Sequence, residues 1–82
     1  MLELSNSQIK LSQLRALLAV AEYGNFSEAA LRLDLSQSAV SHAIASLEDE
    51  LGILLFSRGR QGASPTPVGE QVIGYAEKIL QL

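Results

Sequence analysis

The stretch of residues 36–51 limits the folds open to this chain more than any other part. Read as an α-helix at about 100° per residue, it has an apolar stripe along one side, formed by Val40, Ala43, Ile44, Leu47 and Leu51. The opposite side of its first turns carries only small or flat hydrogen-bonding side chains, namely Gln37, Ser38, Ser41, His42 and Ala45. A helix that reads base edges in a DNA major groove needs such a face. A small-residue face packed on another helix fits the stretch equally well.

Length and composition narrow the class of protein. A chain of 82 residues predicts one domain, and the absence of cysteine excludes a disulfide framework and a thiolate metal site. The chain has neither an apolar run of about 18 residues nor a signal-peptide pattern, which predicts a cytoplasmic protein without a membrane partner. The formal net charge of −3 is unusual for a nucleic-acid-binding domain, although Arg58 and Arg60 lie together, far in sequence from the acidic residues 48–50.

The residues before this stretch predict two further helices after a polar lead-in at residues 1–10. A first helix is expected over 12–23, with Gly24 closing it. We expect Ser27 to be the N-cap of a second helix, 28–34, with Phe26 and Leu31 as a hydrophobic staple. Ser36 then caps the helix over 37–51. Two short helices joined by a tight turn form a helix-turn-helix whose second helix reads DNA, although generic helical hairpins use the same caps.

The residues after Gly52 predict a β-hairpin wing. Residues 53–56 have the pattern of a short strand, 57–62 are rich in turn residues, and 63–65 return as a second strand. Arg58 and Arg60 are expected at the tip of this hairpin, where they would contact phosphates or the minor groove. An ordinary solvated loop is the alternative.

A last helix is predicted from Pro67, with Thr66 as its N-cap and Glu70 in its first turn. Its apolar residues continue to the end of the chain, and part of them would pack on the first helix. The stripe is too long for an 82-residue monomer to cover fully. We therefore expect a homodimer interface formed by Val68, Val72, Tyr75, Ala76, Ile79 and Leu80.

The run AALRLDLSQSAVSHAIASLEDELGILLFSRGR, followed by PTPVGEQV, resembles the N-terminal domain of LysR-type transcriptional regulators over about residues 11–82. The resemblance implies a mainly α fold, a winged helix-turn-helix at residues 11–66 followed by a linker and dimerisation helix at 67–82. It also implies a bacterial regulator that binds double-stranded DNA, a promoter or operator with paired half-sites, as a homodimer. Family members usually continue into a larger effector-binding domain, which is expected in the full-length protein and is absent here.

Carried over position by position, the resemblance implies which residues touch DNA. The residues expected near the major groove are Ser36, Gln37, Ser38, Ser41 and His42. Ser27 and Arg32 would lie near the DNA backbone, and Arg58 and Arg60 would hold the wing. The chain departs from the family pattern at three positions: Ser38 replaces a usual proline, His42 a longer basic or amide residue, and Pro65 an aliphatic residue. Pro65 lacks an N–H, so the second wing strand should be short or an edge.

Sequence-specific DNA binding is therefore the leading function, and a winged-helix protein-interaction module is the alternative, favoured by the negative charge. An enzyme is not expected, because the single histidine, the lack of cysteine and the lack of converging carboxylates leave no catalytic acid–base set. His42 has no set of ligands around it for a metal, and no cofactor is expected.

Overall fold

The computed structural model describes residues 9–60 and 62–81, and this part contains four helices and one antiparallel hairpin. In chain order the elements are α1 (Leu11–Tyr23), α2 (Phe26–Leu33), α3 (Gln37–Leu51), β1 (Phe56–Gly59), β2 (Gly62–Pro65) and α4 (Pro67–Leu80). This order confirms the predicted mainly α, winged helix-turn-helix fold. The lead-in predicted for residues 1–10 lies mostly outside the described residues.

The core forms around α1, which packs against α2, α3, α4 and β2. The largest fully buried side chains come from α1, α3 and the segment before β1: Leu17, Val20, Val40, Ile44, Leu47 and Leu55. Burying each such side chain contributes about 1.5–3 kcal/mol. Ala16, Ala29 and Ala30 are also buried, and their small size lets α1 and α2 approach closely. Because Val40, Ile44 and Leu47 are buried here, the apolar stripe of α3 faces this core.

The N-terminus of α2 corrects one prediction. Its N-cap is Asn25, whose side-chain oxygen accepts a hydrogen bond from the Glu28 N–H at 2.6 Å. Ser27 is not the cap, and the predicted staple is also wrong, since Phe26 is the first helical residue and is buried, whereas Leu31 is 73% exposed. Asparagine caps helices as well as serine does. The earlier start also places the Phe26 ring in the core, in an edge-to-face contact with Phe56.

The turn between α2 and α3 is as tight as predicted. The second helix ends at Leu33, and Asp34 follows in the left-handed conformation with φ 59° and ψ 44°. The N–H of Leu35 donates to the Ala30 carbonyl at 2.9 Å, which ties the turn back onto α2. Ser36 then caps α3, because its hydroxyl oxygen accepts from the Ala39 N–H at 3.1 Å. The predicted cap at Ser36 is confirmed.

The wing begins later than predicted. Strand β1 runs from Phe56 to Gly59, so the prediction of a strand over 53–56 is wrong except at its last residue. The residues just before Phe56 bond elsewhere: the Leu55 N–H donates to the Glu48 carboxylate at 2.8 Å, and the Leu55 carbonyl accepts from the Thr66 N–H at 2.9 Å. Because these bonds occupy the Leu55 backbone, the pairing of the two strands starts at Phe56 and Pro65. The four-residue β2 is short, as Pro65 predicted.

The start of α4 agrees with the sequence. Thr66 is the N-cap, its hydroxyl oxygen accepting from the Gly69 N–H at 2.9 Å, and Pro67 is the first helical residue. Gly69 is required here, since a Cβ at this position would overlap the carbonyl oxygen of Leu55. The first turn of α4 therefore packs closely against the loop before β1.

Candidate nucleic-acid interface

Helix α3 presents an uncharged polar face to the outside. Gln37, Ser38 and His42 are exposed, Ser41 is half-buried, and Ala45 is exposed on the next turn of the same side. Residues 37–47 contain no acidic, lysine or arginine residue. Along residues 37–47, charge is therefore absent from the side of the helix opposite its buried stripe, which is the arrangement a major-groove helix needs.

Hydroxyl groups cluster around the start of α3. The Ser27 hydroxyl donates to Gln37 Oε1 at 2.9 Å, which links the first turn of α2 to the first residue of α3. The Ser36 and Ser38 hydroxyl oxygens lie 3.2 Å apart. The first N–H groups of α3 point toward the same region, because a helix N-terminus leaves its first donors without helical partners. These donors and hydroxyls are suited to an anionic ligand.

Arg32 carries a positive charge close to this cluster in sequence, but the charge is paired. Its Nε lies 3.0 Å from Glu28 Oε2, one turn earlier on α2, and both side chains are exposed. Its guanidinium carbon also lies 5.1 Å from the ring centroid of Tyr23. An exposed ion pair of this kind is weak. A phosphate could therefore compete with Glu28 for the guanidinium.

The wing places its two arginines differently from the prediction. Arg58 lies within β1, paired with Ala63, and its guanidinium carbon lies 4.2 Å from the ring centroid of Phe26. Only Arg60 lies in the turn. Both side chains are exposed, and within residues 9–60 and 62–81 neither arginine has an acidic partner. The wing therefore offers two unpaired positive charges, one of them supported by an aromatic ring.

Backbone contacts anchor the wing to the helix-turn-helix. The Ala63 N–H donates to the Gly24 carbonyl at 2.9 Å, so β2 lies against the turn between α1 and α2. Gly62 has φ 120°, and a Cβ there would overlap the same Gly24 carbonyl oxygen. Only glycine fits this close approach. The position of Arg58 relative to α2 is thus set by the backbone as well as by the ring contact.

The acidic residues lie mainly on other parts of the surface. Residues 48–50 are at the C-terminal end of α3, and the Glu48 carboxylate is occupied by the N–H groups of Leu55 and Phe56. Glu22, Glu70 and Glu77 line a cleft between α1 and α4, which α3 does not line. The net charge of −3 therefore does not describe the face that carries Gln37 and the arginines.

The predicted dimer residues lie on α4, and most of them are accessible. Tyr75 is 66% exposed, Ile79 is 58% exposed and Val68 is 38% exposed, while Val72 and Leu80 are half-buried. Ala76 is 1% exposed and packs in the core of the same chain. An apolar groove lies beside it, lined by Leu11, Leu14, Leu51, Val72, Tyr75 and Ile79 among others. It runs between the start of α1, the end of α3 and α4.

Sequence reasoning missed three residues that shape this surface. Asn25 was identifiable, because Asn three residues before Glu28 is a typical N-terminal capping pattern. The Arg58 guanidinium lies over the Phe26 ring, which is 32 positions earlier in the chain. The Glu48 carboxylate accepts from the N–H groups of Leu55 and Phe56, which are 7 and 8 positions later. Neither contact has a local sequence signal.

The described residues contain no group of three or more His, Cys, Asp or Glu side chains able to hold a metal ion. Across residues 9–60 and 62–81, every helix is too short or too polar to cross a membrane.

Comparison with known proteins identifies the family. Residues 11–70 match the family described as "Bacterial regulatory helix-turn-helix protein, lysR family". The probable HTH-type transcriptional regulator LrrA of Synechococcus elongatus is 65% identical over 74 residues, which cover 90% of this chain and 25% of LrrA. The chain thus spans about a quarter of the length of this curated relative.

Solved structures indicate the same family. The crystal structure of a CbnR_DBD–DNA complex matches with a TM-score of 0.86 and 36% identity, covering 88% of this chain and 83% of that one. The BenM_DBD/benA site 1 DNA complex matches with a TM-score of 0.82 and 41% identity, covering 87% of this chain and 80% of that one. The chain therefore belongs to the lysR family of bacterial regulatory helix-turn-helix proteins, a family of transcriptional regulators.

Proposed function

We propose that this domain binds double-stranded DNA in a sequence-specific manner, as the DNA-binding part of a bacterial LysR-type transcription regulator. The observation that carries the proposal is the exposed, uncharged face of α3, with two unpaired arginines on the adjoining wing. Two similar chains, the CbnR and BenM domains, are described in complexes with DNA. This likeness supports a major-groove position for α3.

The residues divide into base-reading and backbone-contacting groups. Gln37, Ser41 and His42 are exposed or half-buried on the outer face of α3, and we assign them to base edges. Ser36 and Ser38 lie at the helix N-terminus with their hydroxyl oxygens 3.2 Å apart, and we assign them to either a base or a phosphate. Arg58 and Arg60 would contact phosphates or the minor groove. Arg32 would contact a phosphate once Glu28 releases it.

We also propose that the domain acts as a homodimer through α4. An exposed tyrosine and an exposed isoleucine beside an apolar groove are costly to leave in water, and a second copy of the helix would cover them. Val68, Val72, Tyr75, Ile79 and Leu80 would supply this interface. Ala76, predicted with them, does not belong to it, because it is buried in the core of its own chain. Two α3 helices held at a fixed separation would read paired half-sites.

The remaining properties follow from membership in a family of regulators. We infer that the domain is not an enzyme, works in the cytoplasm where bacterial promoters are, and is followed in the full-length protein by an effector domain. The length of LrrA relative to this chain supports the last inference.

A protein-interaction module is the second candidate, favoured by the net charge of −3 and by the exposed Leu31 and Leu35. The salt dependence of duplex binding distinguishes the two functions. A DNA-binding domain should lose affinity linearly in a plot of log K against log salt, with a slope of about −0.9 per phosphate contact. Arg58→Ala and Arg60→Ala should each make this slope shallower by about one unit. A domain with no measurable affinity for any duplex at low salt would favour the second candidate.

A further inference from the structure

Leu55, in the loop before β1, is bonded through its backbone to two helices at once. Its N–H donates to the Glu48 carboxylate of α3 at 2.8 Å. Its carbonyl accepts at 2.9 Å from the N–H of Thr66, the N-cap of α4. The Leu55 side chain is fully buried in the core. A single fixed residue therefore lies between the helix proposed to read DNA and the helix proposed to form the dimer.

The Thr66 hydroxyl adds a second connection on the side toward α4. It donates to the Leu54 carbonyl at 2.6 Å and accepts from the Gly69 N–H at 2.9 Å. Both directions are fixed, because a carbonyl oxygen can only accept a hydrogen bond and a backbone N–H can only donate one. A Cβ at Gly69 would overlap the Leu55 carbonyl oxygen, so the loop and the first turn of α4 are in close contact. The start of α4 is therefore held at a fixed distance from the loop.

The Glu48 carboxylate holds the loop on the side toward α3. Its Oε2 atom accepts from the Leu55 N–H at 2.8 Å and from the Phe56 N–H at 3.4 Å. Glu48 lies in the last turn of α3, which ends at Leu51. Hydrogen bonds to an ionised acceptor are stronger than those between neutral groups. The loop is therefore attached to the end of α3 and to the start of α4 at the same time.

Direct contacts between α3 and α4 are few. Within residues 9–60 and 62–81, no hydrogen bond or ion pair joins the two helices directly. An apolar groove lies between the end of α3 and α4. Both helices pack against α1. The angle between α3 and α4 therefore depends on the link through Leu55 and on the shared packing against α1.

We propose that Glu48 and Thr66 are positioning residues that, through Leu55, set the angle between α3 and α4 and thereby the half-site spacing that the dimer accepts. This inference rests on the proposed DNA binding by a dimer joined through α4. In such a dimer, the separation and relative rotation of the two α3 helices follow from this angle.

Spacing is a strict requirement because DNA is helical. One added base pair rotates one half-site relative to the other by about 35°, since a turn of the duplex contains about 10–10.5 base pairs. It also moves the half-sites apart by about 3.4 Å. A rigid link between α3 and α4 should therefore reject most spacings, whereas a loose link should accept several.

The test measures affinity for duplexes in which the spacer between the half-sites is lengthened or shortened one base pair at a time. The half-sites are those that the parent enriches from a random DNA pool. The parent should bind its preferred spacing about tenfold more tightly than the neighbouring spacings, because a wrong spacing prevents simultaneous binding of both half-sites. Thr66→Val keeps the shape but removes the hydroxyl, and it should reduce this ratio several-fold. Thr66→Ser keeps the hydroxyl and should retain the ratio of the parent.

A second substitution interrupts the same link on its other side. Glu48→Ala should also reduce the spacing ratio, and the double variant with Thr66→Val should lose little more than Glu48→Ala alone. Glu50→Ala, which removes an exposed carboxylate from the same turn of α3, is the matched control and should retain the ratio. On a duplex with one half-site, Thr66→Val should bind as the parent does, because no second helix has to be placed. Circular dichroism and sedimentation establish that each variant is a folded dimer.

Two outcomes would overturn the inference while leaving the proposed function intact. In one, Thr66→Val and Glu48→Ala keep the spacing ratio of a discriminating parent, which would mean that packing against α1 alone sets the angle. In the other, both variants weaken binding to every duplex equally, the single half-site included, which would indicate a general loss of stability. A parent that binds every spacing and the single half-site with the same affinity would instead contradict the proposed dimer, and the inference with it.

Discussion

The guanidinium carbon of Arg58 lies 4.2 Å from the centroid of the Phe26 ring. The two residues come from different elements, since Arg58 is in β1 and Phe26 begins α2. The ring also meets Phe56, with centroids 6.3 Å apart and planes at 74°. An arginine over an aromatic face gains about 0.5–1 kcal/mol at an exposed site. The contact therefore holds a wing arginine in one place before DNA arrives.

Replacing Phe26 with leucine tests this support. Phe26→Leu keeps an apolar residue at the start of α2 but removes the ring, so DNA binding should weaken about 2–5-fold. The loss should vanish in the Arg58→Ala background, because no arginine remains to be positioned. In the matched Arg60→Ala background it should persist, since Arg60 lies in the turn, away from the ring. Binding isotherms for the single and double variants measure both couplings, and equal losses in the two backgrounds would argue against the contact.

Two glycines of α4 should respond in opposite directions to alanine. At Gly69 a Cβ would overlap the Leu55 carbonyl oxygen, so Gly69→Ala should lower the free energy of unfolding by about 1–3 kcal/mol. At Gly74, in the middle of the same helix, a Cβ meets nothing within 4 Å. Gly74→Ala should raise stability by about 0.5–1 kcal/mol through the better helix propensity of alanine. Urea unfolding curves compare the two, and similar effects would contradict the close approach of α4 to the loop before β1.

The Glu48 carboxylate should contribute to stability through the loop before β1. It accepts from the Leu55 N–H at 2.8 Å and the Phe56 N–H at 3.4 Å. Glu48→Ala leaves a partly buried donor without a partner and should cost about 1–3 kcal/mol of unfolding free energy. Glu48→Gln should cost less, because the amide oxygen still accepts but carries no charge. The exposed Glu50 is the control, and a loss of equal size in Glu50→Ala would indicate a general charge effect.

Substitution at the end of α4 tests the proposed dimer. Ile79 is 58% exposed and lines the apolar groove, so Ile79→Glu should leave the fold intact and place a charge in the interface. Sedimentation should show the parent as a dimer at high concentration and the variant as a folded monomer. The variant should also bind DNA more weakly than any single base-contact variant, because the second half-site loses its high effective concentration. A parent that stays monomeric at millimolar concentration, with or without DNA, would refute the interface.

The sequence predicted those elements whose signals are local. The stripe of Val40, Ile44 and Leu47 repeats at helical spacing, and all three side chains are buried. Ser36 and Thr66 are caps in the structure because each precedes an apolar periodic run and has no better competitor beside it. The helix-turn-helix and the start of α4 were therefore predictable from the residues alone.

The errors arose where distant contacts outweigh local preference. Asn25 and Ser27 are both good N-caps, and burial of Phe26 against Phe56 favours the earlier start. Leu54 and Leu55 look like strand residues, but Glu48 and Thr66 occupy the Leu55 backbone. Arg58 consequently lies inside β1 instead of at the hairpin tip. The surface around α3 was predicted at the level of residues, whereas the bond between Ser27 and Gln37 required the structure.

Selection of bound duplexes from a random DNA pool tests the central claim, that α3 reads DNA sequence as part of a dimer, most directly. The parent domain should enrich one motif with two related half-sites, their centres about one helical turn or a multiple of it apart. Gln37→Ala, selected in parallel, should lose preference at a symmetric pair of positions and keep the rest of the motif. A parent pool that stays random after repeated rounds at physiological salt would contradict the account.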